Sequence, residues 1–221
     1  MATTITAGNA TTGAAVSSDN TGILELKTGT GAGTTALTLN ASQNATLAGT
    51  LGVGAVTSTG LVTGATGALY PIVSGTAQAS TSGTSIDFTG IPSWVKRVTV
   101  MFNELSTNGT STILIQIGDS GGVETTSYNA TAMNGPNVGG NATTGFPINN
   151  TSGAAGLYSG SAVISLVSPN IWVFSSMMRS SGFVYLAAGQ KSISDTLDRV
   201  RITTVNGTDT FDAGTINILY E

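Results

Sequence analysis

A period-two pattern of apolar residues between positions 85 and 118 limits what this chain can fold into more than any other feature. The apolar positions are Val98, Val100 and Phe102 in a first run and Ile113, Ile115 and Ile117 in a second. Such spacing places these residues on one face of a β-strand. The polar run 106–109 separates the two runs and predicts a turn, so we expect a β-hairpin. Trp94, just upstream, is large enough to anchor one end of a core.

Other strand-like segments follow along the second half of the chain, and none has a helical period. Strands are predicted at 85–88, 95–102, 111–117, 162–167, 171–178, 183–188, 197–205 and 215–220. The dipeptide Asn206-Gly207 is the strongest local hairpin signal, because it fits a turn with positive φ at both central positions. The expected fold is all-β, with a C-terminal antiparallel β-sandwich, jelly-roll-like, over residues 85–221.

The segment 171–178 is apolar on both faces of its predicted strand. The two alternating sets are Ile171, Val173 and Met177, and Trp172, Phe174 and Met178. One set can pack inside the sandwich. The other set is then left for a neighbouring subunit to cover, which predicts self-association.

Residues 1–69 contain no aromatic side chain and only three charged ones, Asp19, Glu25 and Lys27. Such a segment cannot bury enough side-chain area to offset roughly 1–2 kcal/mol of backbone entropy per residue on its own. Short alternating pieces nevertheless recur, at 23–26, 36–39 and 45–47. We therefore predict a β-rich shaft formed by several identical chains, a trimer being the simplest closed arrangement. The alternative is a flexible Gly/Thr linker.

A change of composition ends this segment, because Tyr70 is the first aromatic residue of the chain. The small-residue stretch that follows predicts a neck. The expected organisation is thus a shaft over residues 1–69, a neck or linker over 70–84 and the β-sandwich head over 85–221.

The composition narrows the functional class. Charged residues make up only 8% of the chain, against roughly 25% in an ordinary soluble domain. Solubility must then come from Thr, Ser, Asn and Gly, which is typical of extracellular fibres and virion parts. The net charge of −4 gives no reason to expect nucleic-acid binding, which depends on clustered Lys and Arg. No cysteine occurs, so disulfides and thiolate metal sites are excluded.

No run approaches the roughly 18 apolar residues that a membrane span needs, so we expect no membrane insertion. The first residues also lack the basic and apolar regions of a signal peptide. A protein of this kind that works outside a cell is expected to leave by lysis or inside a particle.

The region 119–161 is too long for a plain loop in a compact domain, so it is functional, partly stranded, or both. Its larger side chains lie among Asn, Gly and Thr, as on recognition surfaces. The candidate host-contact residues are Tyr128, Met133, Phe146 and Tyr158. The alternative is that these four side chains pack back into the sandwich or into a subunit interface.

Candidate catalytic residues are few. The chain has no histidine, which removes the Ser-His-Asp triad and imidazole metal ligation. Ser159 stands outside a nucleophile-elbow spacing and would be a weak nucleophile without a base. The glycines of 29–33 resemble a phosphate-binding loop but lack its lysine. We expect no enzymatic activity, no cofactor and no resident metal.

Two pairs of carboxylates could hold calcium or flank a glycosidic bond. They are Asp195 with Asp198, and Asp209 with Asp212. The favoured interpretation is that they are solvated turn residues or partners of Arg199 and Arg201.

Two stretches carry a resemblance to a known class of protein. The run LTLNASQNATLAGTLGVGAVTSTG resembles the Thr/Ala/Gly-rich repeats of bacteriophage tail fibres and other trimeric virion fibres. The run IDFTGIPSWVKRVTVMFNELSTNGTSTILIQIGDSGG, with the closing GTINILYE, looks like the C-terminal β domain of tail-fibre and virion structural proteins of tailed phages. The resemblance covers most of the chain, and no binding residue is fixed by a motif.

The resemblance implies a homotrimer in the virion, assembled in the host cytoplasm. Its N-terminal part would dock on other virion proteins and its C-terminal sandwich would contact a host cell-surface glycan or protein. The alternatives are a head fibre or capsid decoration, and, more remotely, a small polysaccharide-degrading spike that uses the paired aspartates. A bacterial adhesin is a further alternative, against which the missing export signal argues.

Overall fold

A computed structural model describes residues 23–28, 34–40, 42, 44–48, 62–64, 67–69, 71–150, 153–154 and 156–221, and these form an all-β structure. The chain divides into two compact units, residues 1–60 and residues 61–221. Every strand pairing in the described residues is antiparallel. The described residues include no helix that is long and apolar enough to cross a membrane.

The strands are Leu24–Thr28 (β1), Thr34–Leu39 (β2), Ala45–Leu47 (β3), Val62–Gly64 (β4), Gly67–Leu69 (β5), Val73–Ser74 (β6), Gln78–Ala79 (β7), Ser85–Thr89 (β8), Arg97–Thr107 (β9), Ile113–Asp119 (β10), Gly122–Val123 (β11), Asn129–Asn134 (β12), Asn137–Val138 (β13), Phe146–Pro147 (β14), Tyr158–Ser168 (β15), Ile171–Ser180 (β16), Phe183–Ser192 (β17), Arg199–Thr204 (β18) and Phe211–Tyr220 (β19).

The first unit contains a small sheet in the order β1-β2-β3. The pieces 36–39 and 45–47 read from the sequence lie within β2 and β3, and the piece 23–26 overlaps β1 from Leu24 onward. None of the side chains whose burial is described in this unit is buried, and Leu26 and Leu47 are 45% and 42% exposed. The strands therefore have the hydrogen bonds of a sheet without a core of their own.

The second unit contains two larger sheets and the hairpin β4-β5. The nine-stranded sheet has the order β13-β12-β17-β16-β15-β9-β19-β6, with β7 also paired to β19. The five-stranded sheet has the order β11-β10-β18-β8, with β14 paired to β10. Strands β6 and β7 come from the expected neck, 70–84, which thus contributes to the edge of the larger sheet.

One hydrophobic core joins the two sheets, and the alternation of the sequence builds it. The six alternating residues of β9 and β10 are all buried. On β16 the prediction of two faces is confirmed, because Trp172, Phe174 and Met178 lie in the core while the alternate residues are exposed. Trp94 packs against this core, with its ring centroid 6.0 Å from that of Tyr220.

The predicted hairpin between β9 and β10 is wrong. Strand β9 pairs with β15 and β19 in the larger sheet, whereas β10 pairs with β18, β11 and β14 in the smaller one. Residues 108–112 therefore cross from one sheet to the other. Strand β10 is buried along its whole length, so its neighbours are chosen by the core and not by the local turn.

The hairpin predicted at Asn206-Gly207 is also wrong. The dipeptide does make a turn, in which the Gly207 N–H donates to the Thr204 carbonyl at 3.1 Å, but only Gly207 has a positive φ, of 66°. The strands that it joins, β18 and β19, belong to different sheets. This turn, too, is a crossing between the layers.

The two crossings are fastened to each other. The Asn108 N–H donates to the Thr210 carbonyl at 2.9 Å, and the Thr210 N–H donates to the Asn108 side-chain oxygen at 2.9 Å. The Asp209 carboxylate accepts the Ser111 N–H at 2.9 Å and the Asn206 amide at 2.6 Å. These hydrogen bonds hold the pKa of Asp209 below its usual value, and the bond from Asn206 has the largest effect.

Candidate functional site

The residues predicted to contact a host are mostly buried. Tyr128 is only 2% exposed, and its hydroxyl accepts the Ile117 N–H at 2.8 Å and lies 3.0 Å from the Glu124 carbonyl, to which it can donate. Burial raises the pKa of this phenol well above its usual value. Tyr128 therefore fastens the region after β11 to strand β10.

Phe146 and Tyr158 are core residues as well. Phe146 stacks on Phe174 with ring centroids 4.6 Å apart and contacts Tyr128 edge to face at 4.9 Å. Tyr158 is 2% exposed and packs against Tyr185. The prediction that Tyr128, Phe146 and Tyr158 form a recognition surface is corrected here, because large aromatic rings are stabilised by burying their apolar area.

Met133 is the only one of the four that is not buried. It lies on β12 directly opposite Leu186 of β17, which in turn lies opposite Met177 of β16. The row continues through Ser161 of β15 to Met101 of β9. Opposite residues share a face, so these side chains lie together on the side of the sheet away from the core.

We call this side of strands β12, β17, β16 and β15 the outer face. Its exposed apolar side chains include Met177 at 62%, Val184 at 53%, Leu186 at 46%, and Ile171 and Val173 at 39% each. A second row crosses the same strands as Thr131, Ala188, Ser175 and Val163. Arg179 is the only charged side chain that these four strands place on the outer face.

This composition suits contact with another protein surface. Exposed apolar side chains scattered singly are ordinary, whereas contiguous rows of them mark interaction sites. Methionine side chains adapt their shape to a partner. The signal was present in the alternation of residues 171–178, but the rows themselves depend on strand register, which the sequence does not display.

A second cluster of polar residues links two loops at one end of the smaller sheet. The Ser194 hydroxyl lies 2.5 Å from an Asp119 oxygen and 2.9 Å from a Glu124 oxygen, and the Ser194 N–H donates to Glu124 at 2.6 Å. Lys191, only 3% exposed, pairs with the other Glu124 oxygen at 2.5 Å. All of these groups satisfy one another, so the cluster is structural.

The carboxylates of this cluster are held in their charged form. Hydrogen bonds from the Ser194 hydroxyl, which has the larger effect, and from the Gly121 N–H hold the pKa of Asp119 below its usual value. For Glu124, burial acts to raise the pKa, but hydrogen bonds from Lys191 and Ser194 outweigh it and leave the pKa lowered.

In the described residues, one aspartate of each predicted pair is held by other protein groups. Asp198 is ion-paired with Arg199 at 2.7 Å, and Asp209 is held by the crossing loops. Within the described ranges, no three His, Cys, Asp or Glu side chains come together as metal ligands. The Ser159 hydroxyl accepts the Glu104 N–H at 2.9 Å. The glycine run 29–33 lies outside the described residues.

No family model matches the chain, and neither the curated proteins nor the solved structures include a match.

Proposed function

We propose that this chain is a non-enzymatic structural protein of a tailed-phage virion: a homotrimeric tail fibre or receptor-binding fibre. Residues 1–69 form the shaft that attaches to other virion proteins, and a jelly-roll-like head contacts a host cell-surface glycan or protein. The observation that carries this proposal is the outer face, an apolar and nearly uncharged surface on the larger sheet.

The outer face supports self-association because exposing it to water is unfavourable. Each Å² of apolar surface buried contributes about 25 cal/mol. This gain offsets part of the roughly 4–15 kcal/mol that association costs. A surface with one charge also meets little repulsion from its own copy. A neighbouring subunit of the same fibre is the partner that the proposal requires.

The first unit supports the same conclusion from a different direction. Strands β1, β2 and β3 have paired backbones, but no described side chain there is buried. Three identical chains around an axis would give these strands the shared core that one chain lacks. An extended fibre would also hold three weak host-binding sites at fixed spacing, so that avidity replaces affinity.

The first test is the mass of the purified assembly at equilibrium, with one variant on the outer face and one elsewhere. Val173→Lys places a charge on the outer face, whereas Val205→Lys changes an exposed valine just after β18, off the larger sheet. We expect a trimer for the unmodified chain, loss of trimer for Val173→Lys and no change for Val205→Lys. A monomeric unmodified chain in dilute solution would contradict the proposal.

The second test separates a tail fibre from a head fibre or capsid decoration. Electron microscopy of whole particles with an antibody to residues 85–221 locates the protein on tail or head. Adsorption of the phage in the presence of purified trimer then tests host contact. If saturating purified trimer competes with the phage for adsorption, the receptor-binding function is supported. If it does not compete and the antibody labels the head, a capsid decoration is supported.

A further inference from the structure

A cleft lies at one end of the second unit, away from the outer face rows. Its walls come from three segments: residues 93–96 before β9, residues 166–172 around the turn between β15 and β16, and residues 196–197 before β18. Its volume is about 470 Å³, within the range of small-molecule sites. None of its residues takes part in the contacts described above for the polar cluster.

The cleft has an apolar floor and a polar rim. Val95, Trp172 and Leu197 form the floor, and each is at most 3% exposed. The rim carries hydroxyl and amide groups, which come from Ser93, Ser168, Asn170 and Thr196. A sugar ring has the matching surfaces, because its C–H groups pack on apolar walls while its hydroxyls exchange hydrogen bonds with a polar edge.

Backbone hydrogen bonds hold the walls together. The Leu166 N–H donates to the Lys96 carbonyl at 2.8 Å, which joins the first segment to β15. The Ile193 N–H donates to the Asn170 carbonyl at 2.9 Å, and Asn170 has a positive φ of 63°. This anchor fixes the turn in an otherwise disfavoured conformation, so the cleft exists before any ligand binds.

The charge in the cleft favours an anion. The ion-paired basic residues of the described chain are Arg97, Lys191, Arg199 and Arg201. Lys96 lines the cleft, is exposed and makes no ion pair within the described residues. No acidic side chain lines the cleft. The local charge of the cleft is therefore positive although the chain as a whole is negative, and a carboxylate is the anionic group that pairs with a lysine.

Trp172 adds a second unsatisfied donor. Its indole N–H is shielded from solvent and has no hydrogen-bond acceptor in the described part of the chain. Buried donors are nearly always paired, and an exception calls for an explanation. This unpaired donor lies at the wall of the cleft, because Trp172 is one of its lining residues.

From these observations we propose that the cleft binds an acidic saccharide, a sugar whose carboxylate pairs with Lys96 and whose ring lies on the apolar lining of the cleft. The site belongs to the second unit alone, so it does not depend on the virion function proposed above. If the trimer or adsorption tests fail, the proposal of a sugar site is unaffected. If the sugar-binding test fails, the proposal of a trimer is unaffected.

The experiment uses the full chain labelled with fluorotryptophan and observed by fluorine NMR. The chain has two tryptophans, and Trp94→Phe assigns their signals. The probes are glucuronate, galacturonate and N-acetylneuraminate, compared in turn with the neutral glucose, galactose and methyl ester of N-acetylneuraminate. Titration gives the dissociation constant from the shift of the Trp172 signal.

We expect at least one acidic sugar to shift the Trp172 signal and not the Trp94 signal. We also expect the chain to bind that sugar more tightly than its neutral counterpart. Lys96→Gln should weaken the acidic sugar about fivefold, the effect of one partly solvated ion pair, and leave the neutral sugar unchanged. Val205→Glu is the matched control, because it lowers the net charge by the same one unit at an exposed position outside the cleft.

Three results overturn the proposal. The first is no movement of the Trp172 signal with any of the sugars. The second is equal affinity for acidic and neutral sugars. The third is a loss of affinity in Val205→Glu that equals the loss in Lys96→Gln, which would show a general effect of net charge instead of a contact in the cleft.

Discussion

Lys191 and Glu124 form an ion pair whose Nζ and Oε2 atoms are 2.5 Å apart, although the Lys191 side chain is only 3% exposed. The same ammonium lies 5.3 Å from the centre of the Tyr128 ring, a cation–π distance. A buried lysine is costly unless its charge is compensated. The pair therefore ties strand β17 to the region that follows β11.

Glu124→Ala should destabilise the chain strongly, because it leaves the ammonium of Lys191 buried without its carboxylate. Removing one partner of a buried pair costs about 3–5 kcal/mol, and the partial exposure of Glu124 places this variant near the lower limit. Urea unfolding measures the change. The double variant Glu124→Gln with Lys191→Met should recover part of the loss; a double variant less stable than Glu124→Ala would contradict the pairing.

Acid should unfold the chain in part through Asp119 and Glu124. Their folded pKa values lie below the unfolded ones, so their contribution to stability is complete above the unfolded values and is lost as the pH falls through the folded ones. We expect stability to fall from about pH 4 downward, the usual range of carboxyl groups. Urea unfolding at a series of pH values gives the curve.

Ser194→Ala tests the origin of that acid sensitivity. It removes the hydroxyl that Asp119 and Glu124 share, so both pKa values should rise toward the ordinary range. The variant should then be less stable at pH 7 and should show a shallower decline in acid. Ser192→Ala, at the exposed end of β17, is the control and should leave the curve unchanged.

Gly189→Ala should destabilise the pairing of β17 with β12. A Cβ at this position would collide with Ala130, whose Cα would lie 2.8 Å away, and Ala130 is the direct partner of Gly189 in the register. Overpacking of this kind costs about 1–3 kcal/mol. Gly140→Ala has open space around the new Cβ and should cost almost nothing. Equal effects of the two substitutions on the unfolding midpoint would refute the close approach.

Tyr128→Phe tests the corrected position of the predicted contact residues. Loss of the hydroxyl leaves the Ile117 N–H without its side-chain acceptor, and an unsatisfied buried donor costs about 1–3 kcal/mol. Stability should fall by that amount, while competition for phage adsorption per folded molecule stays unchanged. Met133→Lys should leave the stability of the folded chain unchanged and weaken the trimer, because it changes the outer face and not the core.

The local part of this fold could be read from the sequence. The alternation at Val98 and Val100 predicted burial correctly, and the two faces of β16 followed from Trp172 and Val173. Patterns of this kind report which face of a strand meets the core. The strands of the first unit could also be predicted, because each is a short alternating piece bounded by residues rich in Gly and Thr.

The pairing of strands could not be read in the same way. Asn206-Gly207 has the chemistry of a hairpin turn, yet its two strands enter different sheets because each finds a better apolar neighbour elsewhere. Tyr128 and Phe146 stand among polar residues in the chain, but β14 brings Phe146 against β10 and into the core. Sequence neighbours do not report contacts between segments that are distant along the chain.

The position of β19 has a consequence for biosynthesis. This strand, residues 211–220, lies inside the larger sheet between β9 and β6. Strand β19 is synthesised about a hundred residues after β9. Until β19 leaves the ribosome, the backbone N–H and C=O groups on that edge of β9 have no partner. During synthesis the nascent chain therefore exposes an unpaired strand edge, and products truncated before β19 should be prone to aggregate.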